Sequence, residues 1–132
     1  IKIATNLEGK RLITEVDPNQ MSQVFWNLSI NAVQAMSDGG ELIIASKKRV
    51  KKGRGYSDFD KDYIEIIFKD TGNGINPVVK DKIFYPFFTT KDKGSGLGLA
   101  IVHRIVEDHK GEIKVESKLN EGSRFIIHLP FV

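Results

Sequence analysis

The chain has 132 residues, of which 40% are hydrophobic and 28% charged, with a net charge of +3. That is the composition of one ordinary globular domain with a single core, and so small a charge excess gives no footing for nucleic-acid binding. No apolar run approaches the roughly 20 residues of a membrane span, no signal peptide opens the chain, and the absence of cysteine excludes disulfides and thiolate metal sites while fitting a cytoplasmic setting.

The chain opens inside a strand pattern, Ile1-Lys2-Ile3-Ala4, with no initiator methionine, so a fragment of a longer protein is expected, one whose parent is free to be membrane-anchored. Residues 1–6 and 11–16 read as strands around a Glu8-Gly9-Lys10 turn. Asp17-Pro18-Asn19-Gln20 then starts a helix, with Asp17 as N-cap, Pro18 at the first position and Gln20 completing a capping box. The helix runs to about Ser37, where Asp38-Gly39-Gly40 stops it. Strands are expected at 41–46 and 63–69 with a polar loop between, a short helix at 77–84, a longer helix at 97–109 ending at Gly111, and a closing hairpin of 113–117 and 124–129. Helices interleaved with mostly antiparallel strands imply an α/β two-layer sandwich, one mixed sheet with its helices on a single face. The whole of 1–132 reads as one domain without internal repeats.

Three stretches carry chemistry. Lys91-Asp92-Lys93-Gly94-Ser95-Gly96-Leu97-Gly98-Leu99-Ala100 leads directly into a helical apolar pattern. A helix start presents unpaired N–H groups and the positive end of a dipole, so such a run is either a phosphate cradle or a plain flexible turn. In the first helix Met21, Val24, Phe25, Trp26, Leu28, Ile30, Val33 and Met36 leave almost no polar side, which predicts deep burial all round. Through them runs a polar stripe of Gln23, Asn27 and Asn31 at i, i+4, i+8. Either these amides bond neighbouring backbone, or they face a polar ligand, for which an amide oxygen is a hard donor suited to Mg²⁺.

Asp70 follows the apolar strand and opens Asp70-Thr71-Gly72-Asn73-Gly74. Its carboxylate is placed to accept from an exocyclic amine such as that of adenine, or else to close an Asx-turn. Next comes Phe84-Tyr85-Pro86-Phe87-Phe88-Thr89-Thr90-Lys91, more aromatic surface than a loop normally shows, serving as core plugs or as a docking patch.

Asn-x-x-x-Asn-Ala (27–32), Asp-x-Gly-x-Gly (70–74), Phe-x-Pro-Phe-Phe-Thr-Thr-Lys (84–91) and Gly-x-Gly-Leu-Gly-Leu (94–99) occur in the order of the N, G1, F and G2 boxes. The chain thus resembles the catalytic, ATP-binding domain of bacterial two-component sensor histidine kinases, of the nitrogen-regulation-like type. The resemblance covers almost the whole chain and implies the Bergerat ATP-binding fold shared with gyrase, MutL and heat-shock chaperone ATPases. It implies that Asn31 binds the Mg²⁺ that bridges the phosphates, with Asn27 assisting one turn earlier; these two would be the catalytic positions. Asp70 would read the adenine amine, with Gly72, Gly74 and Ile75 shaping the base pocket. Thr90, Lys91, Gly94, Ser95, Gly96, Leu97, Gly98 and Leu99 would bind the triphosphate and form, within 76–95, a lid that nucleotide closes. Ser123 matches a hydroxyl that helps hold adenine through water. Tyr85 departs from the motif, which usually carries an acidic or amide residue there.

The implied function is to bind MgATP and to donate its γ-phosphate to a histidine on a neighbouring dimerisation hairpin, with a response regulator reached through the full-length protein. Nothing in the chain resembles that hairpin, so the isolated fragment is expected to lack autophosphorylation, and no membrane or nucleic-acid contact is expected of it. His103, His109 and His128 read as structural or solvent-facing. No Walker Gly-x-x-x-x-Gly-Lys is present. Asp58-Phe59-Asp60-Lys61-Asp62 imitates a calcium loop but lacks its glycine and closing glutamate, and the basic run 47–54 reads as a solvated hairpin loop. Two alternatives stand beside the kinase reading. One is a gyrase- or MutL-like ATPase, against which Asn27 speaks, because relatives that hydrolyse ATP carry a glutamate there. The other is a non-catalytic ATP-binding docking module.

Overall fold

Strand β1 (Lys2–Leu7) lies parallel to β2 (Glu41–Lys51), a pairing that requires a crossover, and helix α1 (Pro18–Ala35) supplies it. The remaining ladders are antiparallel: β2 with β3 (Lys61–Asp70), β3 with β5 (Gly122–Pro130), and β5 with β4 (Glu112–Lys118). The sheet order is therefore β1-β2-β3-β5-β4, with a short α2 (Pro77–Lys80) and a longer α3 (Gly98–Asp108) inserted between β3 and β4. This is a computed structural model, and it describes residues 1–7, 12–51, 61–89 and 96–130. The expected Glu8-Gly9-Lys10 turn, residues 52–54 of the basic run, the Asp58-Phe59-Asp60 stretch, and Thr90, Lys91, Gly94 and Ser95 lie outside the described residues, while residues 47–51 of that run extend β2 instead of forming a loop.

Helix α1 starts as its sequence dictates. The Asp17 carboxylate accepts from the N–H groups of Asn19 and Gln20 at 2.9 and 3.0 Å, and Pro18 occupies the first turn, where no N–H is needed. The returning half of the expected capping box is replaced. The Asp17 N–H donates instead to His109 Nε2 at 3.0 Å, while His109 Nδ1 lies 2.7 Å from the Ile105 carbonyl. His109 is thus a neutral Nδ1–H tautomer that ties the start of α1 to the end of α3.

Residues 12–16 keep the alternation of a strand but join no ladder. Leu12, Thr14 and Val16 are half-buried and Ile13 and Glu15 exposed, and Thr14 Oγ1 donates to the Pro130 carbonyl at 2.6 Å. The period-2 pattern records packing of an extended segment along the end of β5, not a place in the sheet.

The core forms on one side of the sheet. Leu42, Phe68, Phe125, Ile127 and Leu129 meet Met21, Val24, Leu28 and Ala32 of α1 and Val102, Ile105 and Val106 of α3. This is the expected two-layer arrangement. Helix α1 is not buried all round, however. Trp26 is 68% exposed, and Phe25 and Val33 also reach solvent. The helix carries two apolar flanks, one for the core and one for a cavity described below. No described helix is long and apolar enough to cross a membrane.

The other face of the sheet carries an ionised centre. Glu65, 8% exposed, meets His128 Nε2 at 2.9 Å, Arg49 Nε at 3.4 Å and Lys47 Nζ at 3.8 Å, and Tyr63 packs on the His128 ring at 4.5 Å. Burial alone would raise the Glu65 pKa, but the His128 hydrogen bond and the Arg49, His128 and Lys47 charges outweigh it and hold the carboxyl below its usual range. The resulting stability is complete above the unfolded-state value and is lost as pH falls through the depressed folded value. Glu65→Gln is expected to lower stability at neutral pH by on the order of 1 kcal/mol and to flatten the acid limb of a denaturation-midpoint profile. An acid limb unchanged by the substitution contradicts this assignment.

Candidate functional site

Between α1, the end of β3, the start of β5 and the start of α3 lies a cavity of about 650 Å³, within the usual size of small-molecule sites. Its polar groups fall at two ends.

At the first end is Asp70, the last residue of β3 and 2% exposed. Its carboxylate accepts the Gly72 N–H at 2.9 Å and is bonded by the backbone of Ser123, its register partner on β5. Burial dominates, these backbone N–H bonds oppose it, and the net effect raises the pKa of the group. An acceptor that is costly to keep dry and has spare lone pairs is suited to a ligand donor. Gly72 itself does not line this cavity. It supplies its N–H from behind, and a Cβ there would strike the Ala35 carbonyl of α1. Gly74 does line the cavity; its φ of +70° and the adjacent Lys118 carbonyl leave no room for a side chain. The Ser123 hydroxyl, also buried and lining, is 2.8 Å from that of Ser117, which accepts the Ile75 N–H at 2.8 Å.

At the second end Asn27 and Asn31, one turn apart on α1, both line the cavity, and Asn27 reaches the start of α3. Asn27 Nδ2 donates to the Gly98 carbonyl at 3.2 Å and so fixes where α3 begins relative to α1. Leu97, at the N-cap of α3, makes no side-chain cap hydrogen bond among the described residues, and Gly96, Gly98 and Leu99 line the cavity beside that helix start. Such a helix start accepts an anion. Leu97 is the N-cap position and does not line the cavity. The Phe87 N–H donates to the Gly96 carbonyl at 2.9 Å, which docks the aromatic segment on the glycine segment.

Of the expected site residues, Asn27, Asn31, Asp70, Gly74, Ile75, Gly96, Gly98, Leu99 and Ser123 come together around one space. Trp26, Ile30, Val79, Ile83 and Phe88 also line it, although the sequence alone points to the core for Trp26 and Ile30, to a short helix for Val79 and Ile83, and to a loop for Phe88. The available signal is the second apolar flank of α1: Trp26 and Ile30 sit beside the asparagines, too far round the helix to share the core with Val24 and Leu28. The aromatic segment divides by residue. Phe84 packs against Phe125 and His103, Phe88 turns to the cavity, and Tyr85 and Phe87 stay exposed.

Residues 16–132 match the family described as histidine kinase-, DNA gyrase B- and HSP90-like ATPases. Sporulation kinase E of Bacillus subtilis is 40% identical over 114 residues, covering 86% of this chain and 14% of that protein. Sensor histidine kinase ZraS of Escherichia coli is 40% identical over 116 residues, covering 88% of this chain and 23% of that protein. The chain therefore spans less than a quarter of the length of these relatives. Among solved structures, the nucleotide-free catalytic domain of histidine kinase ThkA superposes with a TM-score of 0.77 at 34% identity, covering 98% of this chain and 78% of that one. Full-length ShkA in complex with AMPPNP gives 0.80 at 27% identity, covering 99% and 26%. A cavity with a buried carboxylate at one end and paired asparagines at the other thus sits on a Bergerat fold, and the chain belongs to the histidine kinase-, DNA gyrase B- and HSP90-like ATPase family, among the catalytic domains of histidine kinases.

Proposed function

We propose that the chain binds MgATP in this cavity and positions the γ-phosphate for transfer to a histidine on a neighbouring dimerisation domain of the same kinase, within two-component signalling in the cytoplasm. The observation that carries the reading is the polar division of one cavity. A buried carboxylate with a buried hydroxyl beside it stands at the Asp70 end, and two amides with the N-terminal start of α3 stand at the other. An adenine amine suits the first end and a triphosphate the second.

The metal fits the donor set. Among the described residues no group of His, Asp or Glu side chains is arranged to hold an ion alone. The Asn31 amide oxygen would contribute one hard ligand, and phosphate oxygens and water would supply the rest, a set that Mg²⁺ favours. Bound there, the metal supplies charge neutralisation at the phosphates. The chain's own residues bind and orient. Asp70 and the Gly74 turn hold the base, Asn27 keeps the α3 start in place, and the α3 N–H groups receive phosphate oxygens.

Asp70 is the one titratable side chain among the described lining residues, and it stands at the base end. Asn27 is an amide already donating to Gly98 and cannot take a proton from water. This favours transfer over hydrolysis and speaks against a gyrase- or MutL-like ATPase. The exposed Phe87 beside the cavity mouth is the candidate contact for the histidine-bearing hairpin. Thr90, Lys91, Gly94 and Ser95 are assigned to the lid by the family resemblance. The isolated chain, one catalytic domain, is expected to bind ATP without labelling itself, and the response regulator is reached through the full-length protein.

Because the Asp70 pKa is raised on folding, ionising Asp70 opposes folding. The penalty grows as pH rises from the unfolded value through the folded one and is complete above it. Asp70→Asn should therefore raise the neutral-pH melting temperature of the nucleotide-free protein while weakening ATP binding by about 1–3 kcal/mol. Calorimetry that finds equal ATP affinity for both proteins rejects the base-end assignment.

Asn31→Ala should remove most of the Mg²⁺ dependence of ATP binding and leave metal-free adenosine binding nearly unchanged. Joint loss of adenosine and MgATP binding would show that Asn31 is structural instead.

A further inference from the structure

Ser117, on β4, belongs to no motif and does not line the cavity, yet it touches three parts of its base end. Its Oγ accepts the Ile75 N–H at 2.8 Å, lies 3.0 Å from the Gly122 carbonyl, and lies 2.8 Å from Ser123 Oγ. The Ile75 N–H can only donate and the Gly122 carbonyl can only accept. A serine hydroxyl has one proton and two lone pairs. All three contacts are satisfied at once in a single arrangement: Ser117 donates to Gly122, and Ser123 donates its proton to Ser117. Were Ser117 to donate to Ser123 instead, its contact with the Gly122 carbonyl would have no proton.

We infer that Ser117 is a positioning and specificity-determining residue that locks the Ser123 proton away from the cavity, so that Ser123 presents lone pairs only and the pocket selects 6-amino over 6-oxo purines. The inference rests on the adenine reading of the cavity and deepens it. Ser123 and Asp70 are register partners on adjacent strands, both buried and both lining the cavity. With the Ser123 proton turned inward, both offer only acceptors. A 6-amino group brings two protons to that pair, whereas a 6-oxo group brings lone pairs against lone pairs. Without Ser117, the Ser123 hydroxyl is free to rotate, donate into the cavity and accommodate a 6-oxo base.

The test compares ATP with inosine triphosphate, which differs at the 6-position and the adjoining ring nitrogen, by calorimetry on the wild-type chain and on Ser117→Ala, Ser117→Thr and Ser123→Ala. Wild type should prefer ATP. Ser117→Ala should narrow the preference roughly two- to tenfold, chiefly through tighter inosine nucleotide binding, and Ser117→Thr, which keeps the hydroxyl, should restore it. Ser123→Ala should also narrow the preference, and combining it with Ser117→Ala should change the ratio no further, because the two act through one hydroxyl. Should Ser117→Ala fail to fold, the threonine and Ser123→Ala variants still decide: a wild-type ratio in Ser123→Ala, or a lost one in Ser117→Thr, overturns the inference. Equal weakening of both nucleotides by Ser117→Ala, with the ratio preserved, reduces Ser117 to a tie for the Ile75 turn and also overturns it. A wild-type chain that binds neither nucleotide refutes the proposed function itself, whereas a wild-type chain that binds ATP with an unchanged ratio in Ser117→Ala refutes only the role of Ser117.

Discussion

A carboxylate held dry by backbone N–H groups, that of Asp70, sets the terms for its surroundings. At 2% exposure it is costly to ionise, and backbone bonds from Gly72 and Ser123 oppose that cost. To bring such donors close, the neighbouring chain must approach without side chains in the way. Gly72 abuts the Ala35 carbonyl, and Asn73 and Asn120 continue the contact, with N–H bonds to Ala35 and Asn73 at 3.0 and 2.7 Å. The backbone that follows this acid thereby ties together the end of α1, the end of β3 and the β4–β5 turn. The acid's raised pKa is a stability cost kept in the unliganded state, of the kind expected where a site is arranged for its ligand in advance.

Glu65 makes the contrast. It is nearly as buried and lies on the same strand, but on the opposite face, where His128, Arg49 and Lys47 surround it and its pKa is lowered. Two carboxylates on β3 thus shift in opposite directions. Glu65 is satisfied by cations and stabilises the sheet, whereas Asp70 is left with backbone donors and retains capacity for a ligand. Burial by itself does not separate structural from functional acids. The identity of the partners does.

Local chemistry accounts for what could be read along the chain. The Asp17–Pro18 start of α1 is legible because both groups act within one turn, and Asn27 and Asn31 are legible as a pair because helical spacing puts them on one side. The second half of the Asp17 cap is not legible, since its acceptor, His109, is 92 residues away. Residues 12–16 mislead because alternation reports which side chains are buried and is silent on whether the backbone joins a ladder. Trp26 misleads in a similar way: an apolar residue on a helix signals contact with something apolar, and here that is the cavity rather than the core. Ser117 leaves no trace at all, because its meaning lies in three partners, one brought in from the β3–α2 loop and two from the start of β5.

The central claim, that the Asp70 end of the cavity reads a purine 6-amino group, is tested most directly by deleting that group from the ligand and leaving the protein intact. Calorimetry with ATP and with purine riboside triphosphate, which has hydrogen at the 6-position, isolates the contribution of the amine. Binding weaker by about 1–3 kcal/mol for the analogue, the cost of leaving a buried acceptor unpaired, is the predicted result. Equal affinity for the two would contradict the account.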